Sequence, residues 1–129
     1  MQELPHQVTF AVFDVPARPN LKLHHSLVVP QGEQSNLPYT YVSLAYSQTV
    51  DGLLGNLWIA QCDQPMWDSP ELPWRTHDDL LVNEVVDGHL ICRLKLRRDG
   101  TYIYMESSLA PLERLIQDAR TLEPIGPHE

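Results

Sequence analysis

Six histidines and two cysteines are the side chains of this 129-residue chain best suited to chemistry. His77, Asp78 and Asp79 form a compact acid–base trio, since an imidazole oriented by a carboxylate is what a general base requires. The same trio also fits a solvated loop entering a strand. His24 and His25 are neighbours, and neighbours in a strand point to opposite faces, so the pair cannot chelate one metal. His25 falls on the apolar side of its strand pattern, without the three or four donors a metal site needs. Cys62 and Cys92 both lie in strand patterns, where buried thiols are inert. No C-x-x-C pair and no Cys/His zinc spacing occurs. A nucleophile elbow, a P-loop and a dinucleotide glycine motif are also missing, and Asp63, Asp68, Glu71, Asp78 and Asp79 lack EF-hand spacing. No catalytic residue, metal or cofactor is assigned on these grounds.

The best interaction residues are aromatic. Trp67 and Trp74 lie with Asp68 and Glu71 on a stretch, Gln64 to Asp79, that Pro65, Pro70 and Pro73 stiffen. Stiff segments carrying aromatics lose little entropy on binding and anchor interfaces. Tyr102 and Tyr104, with Tyr39 and Tyr41, are placed by alternation on outer strand faces. The competing reading is that both tryptophans fold back and cap the core.

A formal net charge of −8 disfavours nucleic acid and anionic membrane surfaces, because phosphate contacts need lysine and arginine. The cations cluster: Arg93, Lys95, Arg97 and Arg98 share one hairpin, while Asp63 to Asp87 holds seven acids against Arg75 alone. Charge complementarity within the fold or between two copies would use this asymmetry, which makes a homodimer one expectation. No secretory h-region and no long apolar run is present, so a cytoplasmic protein with two reduced thiols is expected. A Cys62–Cys92 bridge would require export.

These residues must be positioned by strands. Asp-Gly recurs at Asp51-Gly52, Asp87-Gly88 and Asp99-Gly100. It marks the two-residue turn that needs positive φ at both central positions. His89 to Arg97 alternates, with Leu90, Cys92, Leu94 and Leu96 on one face. A two-residue turn at Asp99-Gly100 then places Leu96 opposite Ile103, Leu94 opposite Met105, Arg97 opposite Tyr102 and Arg93 opposite Glu106. The same rule at Asp87-Gly88 sets Val85 against Leu90 and the polar Asn83 against Cys92, unless a bulge changes the register. Gln7 to Val15 is apolar on both faces, as a central strand would be. Leu21 to Val29 alternates, with Leu21, Leu23, His25, Leu27 and Val29 on one face. Tyr39 to Ser47 and Leu53 to Cys62 complete the strands. Ser107 or Ser108 is an N-cap for a helix starting near Ser108. Its apolar stripe is Leu109, Leu112, Leu115, Ile116 and Ala119, and Arg114 and Asp118 form an i,i+4 pair on the other side. The tail from Glu123 to Glu129 carries two prolines and is expected to fray.

The sum is one domain over residues 1–129, α+β and β-rich. It is an antiparallel meander of about seven strands, barrel-like or a curled sheet, with one C-terminal helix packed on it. In outline its strand count and order resemble a pleckstrin-homology-type barrel, a likeness of fold that carries no function. Small acidic secretion chaperones are similar in size, charge and C-terminal helix, but usually open with a helix where this chain opens with a strand. The expected function is protein interaction, as an adaptor, a secretion-chaperone-like protein or an immunity-type inhibitor. The rival is a small-molecule or lipid binder, or a minor enzyme, with a cavity between sheet and helix lined by His25, Tyr41, Trp58 and Met105. A dry, packed sheet–helix contact favours the first; an apolar pocket with converging polar groups favours the second.

Overall fold

The structure is a computed structural model that describes residues 10–16, 18–29, 40–64 and 73–125. In chain order the described residues form β1 (Val12–Asp14), β2 (Leu21–Val29), β3 (Tyr41–Val50), β4 (Leu53–Cys62) and β5 (Arg75–His77). There follow β6 (Leu80–Asp87), β7 (His89–Arg98), β8 (Thr101–Ser108), α1 (Leu112–Arg120) and β9 (Glu123–Ile125). Seven strands make one antiparallel sheet in the order β2-β3-β4-β8-β7-β6-β5. Two hairpin-connected runs, β2 to β4 and β5 to β8, are therefore joined where β4 pairs with β8. The sheet stays open: β2 and β5 lie at opposite edges and it does not close into a barrel. No helix of the described residues is long and apolar enough to cross a membrane.

Turn chemistry explains the register. Asp51 and Gly52 have φ of 52° and 80°, and Asp99 and Gly100 have 51° and 83°, the left-handed pairs a primed turn demands. Val50 then faces Leu53, and Leu96 faces Ile103, Leu94 Met105, Arg97 Tyr102 and Arg93 Glu106. The Asp87-Gly88 turn departs from expectation by one residue. Gly88 alone separates the paired Asp87 and His89, so Val85 faces Ile91 and Asn83 faces Arg93. A one-residue slip exchanges the faces of a strand. Here it sets buried Val82 against buried Leu94 and moves Asn83 away from the apolar side. Arg93 Nη1 donates to Asn83 Oδ1 at 3.1 Å.

One face of the sheet is the core. Leu44, Leu57, Ile59, Leu94 and Met105 are fully buried there beneath Leu115 and Ala119 of α1. A leucine so buried contributes about 1.5–3 kcal/mol. The helix starts at Leu112 behind Pro111, four residues later than Ser108. The reason lies in the serines, which still belong to β8 and spend their hydroxyls on the sheet. Ser107 Oγ accepts from Gln48 Nε2 at 2.8 Å and Ser108 Oγ from the Asn56 amide at 3.0 Å. Leu109, with φ of 75°, then turns the chain towards Pro111.

The segment expected as a central strand lies on this core face instead. Its described part forms only β1, which pairs with β9 in a separate two-stranded sheet. Both of its faces are apolar because Val12, Phe13 and Val15 pack against the core. Gln61, wholly buried, pins it: the Phe13 amide donates to Gln61 Oε1, and Gln61 Nε2 donates to the Phe13 carbonyl, each at 2.7 Å. Thr101 Oγ1 donates to the Ala11 carbonyl nearby. Of the tail expected to fray, residues 123–125 pair with β1 and 126–129 lie outside the described residues.

Candidate functional site

The sheet's second face carries the aromatic and basic side chains. Alternation along β7 and β8 brings Arg93, Lys95 and Arg97 to this face beside Tyr102, Tyr104 and Glu106. Arg97 lies over the Tyr102 ring at 5.0 Å, and Lys95 Nζ lies 4.6 Å from the centre of the Trp74 ring. Tyr104 donates to Glu106 Oε1 at 2.7 Å, and Arg93 Nε lies 3.4 Å from the same oxygen. Burial, and then the bond to Glu106, push the Tyr104 phenol above its usual range. Trp58 crosses the Tyr104 ring edge-on at 5.8 Å, and its indole donates to Ser43 Oγ at 2.8 Å. Among the described residues these contacts do not join the basic hairpin to an acid of Asp63–Asp87: Arg93 pairs with Glu106, and Lys95 and Arg97 meet rings. Of the aromatic surface, Trp74 and Tyr102 are half-buried. Tyr104 is only 6% exposed, so it is not a surface anchor. Trp67, Asp68 and Glu71, like Tyr39, lie outside the described residues. Part of the expected loop is regular, because Arg75–His77 forms β5 at the sheet edge.

Topology explains the length of that connection. β4 is the third strand of the sheet and β5 lies at its far rim, four strand spacings away. At about 4.8 Å per spacing, the link must cover about 19 Å.

The four residues of the expected cavity do not converge. Met105 is fully buried on the core face, whereas Trp58 and Tyr41 alternate onto the second face. His25 is moved by a bulge that the sequence pattern does not reveal. The β2–β3 register shifts between Leu23 and His25, with His24 as the extra residue. Beyond it the inward positions become Ser26 and Val28, and His25 and Leu27 turn outwards. His24 and His25 are both exposed, and His24 Nε2 is hydrogen-bonded to Ser47 Oγ at 2.7 Å.

The carboxylates of the His77 trio turn to Arg120, and no hydrogen bond joins them to His77 among the described residues. Asp78 and Asp79 form the turn between β5 and β6, and Arg120 reaches both, at 3.0 and 3.7 Å. His77 is exposed beside them. Among the described residues no group of His, Cys, Asp and Glu could hold a metal ion. Cys62 and Cys92 are free and buried. They sit on opposite faces of the sheet with β8 between their strands, so a bridge is sterically closed. Burial, aided by the charges of Glu84 and Glu113, pushes the Cys92 thiol up to about 11. Burial raises Cys62 as well.

A cleft of about 410 Å³ opens where Pro16, Arg18, Pro19 and Asn20 meet α1. Arg18, Asn20, Arg114, Gln117 and Asp118 line it. At its wall Arg18 grips Asp118 through two bonds, Nη1 to Oδ1 at 2.7 Å and Nη2 to Oδ2 at 3.2 Å. Sequence pattern misses this site. Asp118 fits the solvent side of an isolated helix, and nothing local marks a partner one hundred residues away. Compared with protein-family models, curated proteins and solved structures, the chain finds no match.

Proposed function

We propose that this protein works by binding another protein with its outer surface, and not by enclosing a small ligand between sheet and helix. The observation that carries this reading is the packed contact beneath α1. Leu94, Met105 and Leu115 are wholly buried in one continuous cluster, and the residues that would have lined a cavity lie on different faces. Two hairpin tips supply a surface. Val50 and Leu53 close the β3–β4 hairpin beyond the last β4–β8 pair, Leu57 with Ser107. Val86 and Leu90 lie beyond Ile91 and Ser108 in the same direction. Both tips therefore overhang the end of β8, and they present Leu53, Leu54 and Val86 at 60%, 75% and 76% exposure. Apolar side chains on tips contribute nothing to this core, and covering them is the gain a partner would supply. Two free, buried thiols fit a reducing compartment, so we place the interaction in the cytoplasm. An adaptor, chaperone-like or inhibitory role is compatible with such a surface, and a second copy of the chain is one partner to test. Arg93, Lys95, Arg97 and Arg98 are each engaged within the chain, so self-association would use the apolar tips and resist salt.

A photo-crosslinking residue at position 54, introduced in the native cell, tests the reading. A discrete protein adduct is expected, which the double variant Leu53→Ser, Val86→Ser loses while its melting temperature holds. No adduct, or an equal yield from a crosslinker at the exposed helix position of Glu113, would reject the surface.

A further inference from the structure

Helical spacing predicts that Arg114 pairs with Asp118, one turn away. The structure assigns that carboxylate elsewhere. Asp118 is buried, with 3% of its side chain exposed, and both of its oxygens are taken by Arg18. Arg114 is left without a partner among the described residues, yet it lines the same cleft as Arg18. In a chain of net charge −8, only Arg114 and the exposed Lys22 lack such a partner among the described residues. Arg75, Arg93, Lys95, Arg97, Arg98 and Arg120 each meet a carboxylate, a carbonyl or a ring.

The rest of the cleft suits a negative guest. Arg18 offers five N–H donors, and Asp118 occupies one edge of its fork, which fixes the plane and leaves the other donors free. Arg18 keeps 28% of its side chain exposed. Asn20 and Gln117, whose amides can donate, also line it. The carbonyl end of α1 would ordinarily repel an anion. Here that end is already capped. Arg98 donates to the Ala119 and Leu122 carbonyls at 3.2 and 3.3 Å, and the Thr121 hydroxyl donates to the Gln117 carbonyl at 3.0 Å.

We propose that this cleft is a binding site for a small oxyanion, a carboxylate or a phosphate, held between the guanidinium groups of Arg18 and Arg114. Guanidinium forks match both anions, because each presents two oxygens to two parallel N–H bonds. The site is independent of the hairpin-tip surface.

Calorimetric titration of the full chain with sodium phosphate and, separately, with succinate tests the site, at an ionic strength held constant with chloride. Saturable binding of at least one is expected. Saturation by phosphate alone, or by succinate alone, identifies the anion and upholds the site. Arg114→Gln should weaken binding about tenfold or more, because a charge-assisted fork is lost. Its melting temperature should match that of the parent, since Arg114 supports no described contact. Lys22→Gln, which removes an equal charge elsewhere, should bind as the parent does. Absence of saturation with both anions, or an Arg114→Gln variant that binds as tightly as the parent, overturns the proposal.

Discussion

At the scale of the residue, two glycines show how one residue type acts by two mechanisms. Gly100 stands at φ 83° with nothing near the position of a Cβ, so its role is conformational. Gly100→Val should destabilise the domain by about 1 kcal/mol or more, since a β-branched residue resists positive φ. Gly55 has ordinary backbone angles, but a Cβ there would stand 2.6 Å from the Ser108 carbonyl oxygen. Gly55→Ala should therefore cost about 1–3 kcal/mol through forced displacement of the β8 backbone. Thermal melts separate the two mechanisms. At position 100, Asn should be better tolerated than Val, because Asn accepts left-handed angles; at position 55, no side chain should restore stability. The first glycine is legible in the sequence as half of an Asp-Gly turn. The second is not, because the strand it crowds lies fifty residues away.

At the scale of the element, the small sheet on the core face carries a charge whose pH dependence can be signed. Asp14 of β1 sits directly opposite Glu123 of β9. Burial first, and then the Glu123 charge, raise the Asp14 carboxyl above its ordinary 3.8. A carboxyl whose folded pKa is raised binds its proton more tightly in the folded state. Its stabilising contribution is therefore complete below the unfolded pKa and is lost as pH rises through the folded pKa. Above that window an ionised Asp14 works against the β1–β9 pair. Asp14→Asn should accordingly melt higher than the parent at neutral pH and no higher at about pH 3, where Asp14 is protonated in both states. Paired melts at the two pH values check this; a lower melting temperature for the variant at neutral pH would mean that the Asp14 charge is stabilising. The sequence showed the helix stripe and the apolar character of Val12 to Val15, since both are periodic or compositional. It concealed where β1 docks, because Gln61 and Thr101, which hold it, are polar residues inside otherwise ordinary strands. It likewise concealed the His24 bulge, which shifts phase without any glycine or proline to mark it.

For the whole molecule the decisive contact is the joint between the two strand runs. Hairpins are local, so turn residues and alternation specify β3–β4 and β7–β8 from the sequence. The β4–β8 pairing has no turn to announce it, and it alone makes two strand runs into one sheet. Ile59 faces Met105 at its centre, both wholly buried, with Leu57 and Ile103 beside them in the same cluster. Such a joint leaves neither run able to keep its apolar face covered when the other unfolds. The domain should therefore unfold in a single transition, with far-ultraviolet circular dichroism and tryptophan fluorescence tracing one curve. Trp58 on β4 and Trp74 beside β5 report from opposite sides of the joint. Ile59→Ala should cost about 2–5 kcal/mol and lower both curves together. Met105→Ala should do the same, and the double variant should depart from additivity because the two side chains share one contact. Two separated transitions in the parent, or an Ile59→Ala variant in which only one probe shifts, would show that the two runs are independent units and that β4–β8 is a contact between them.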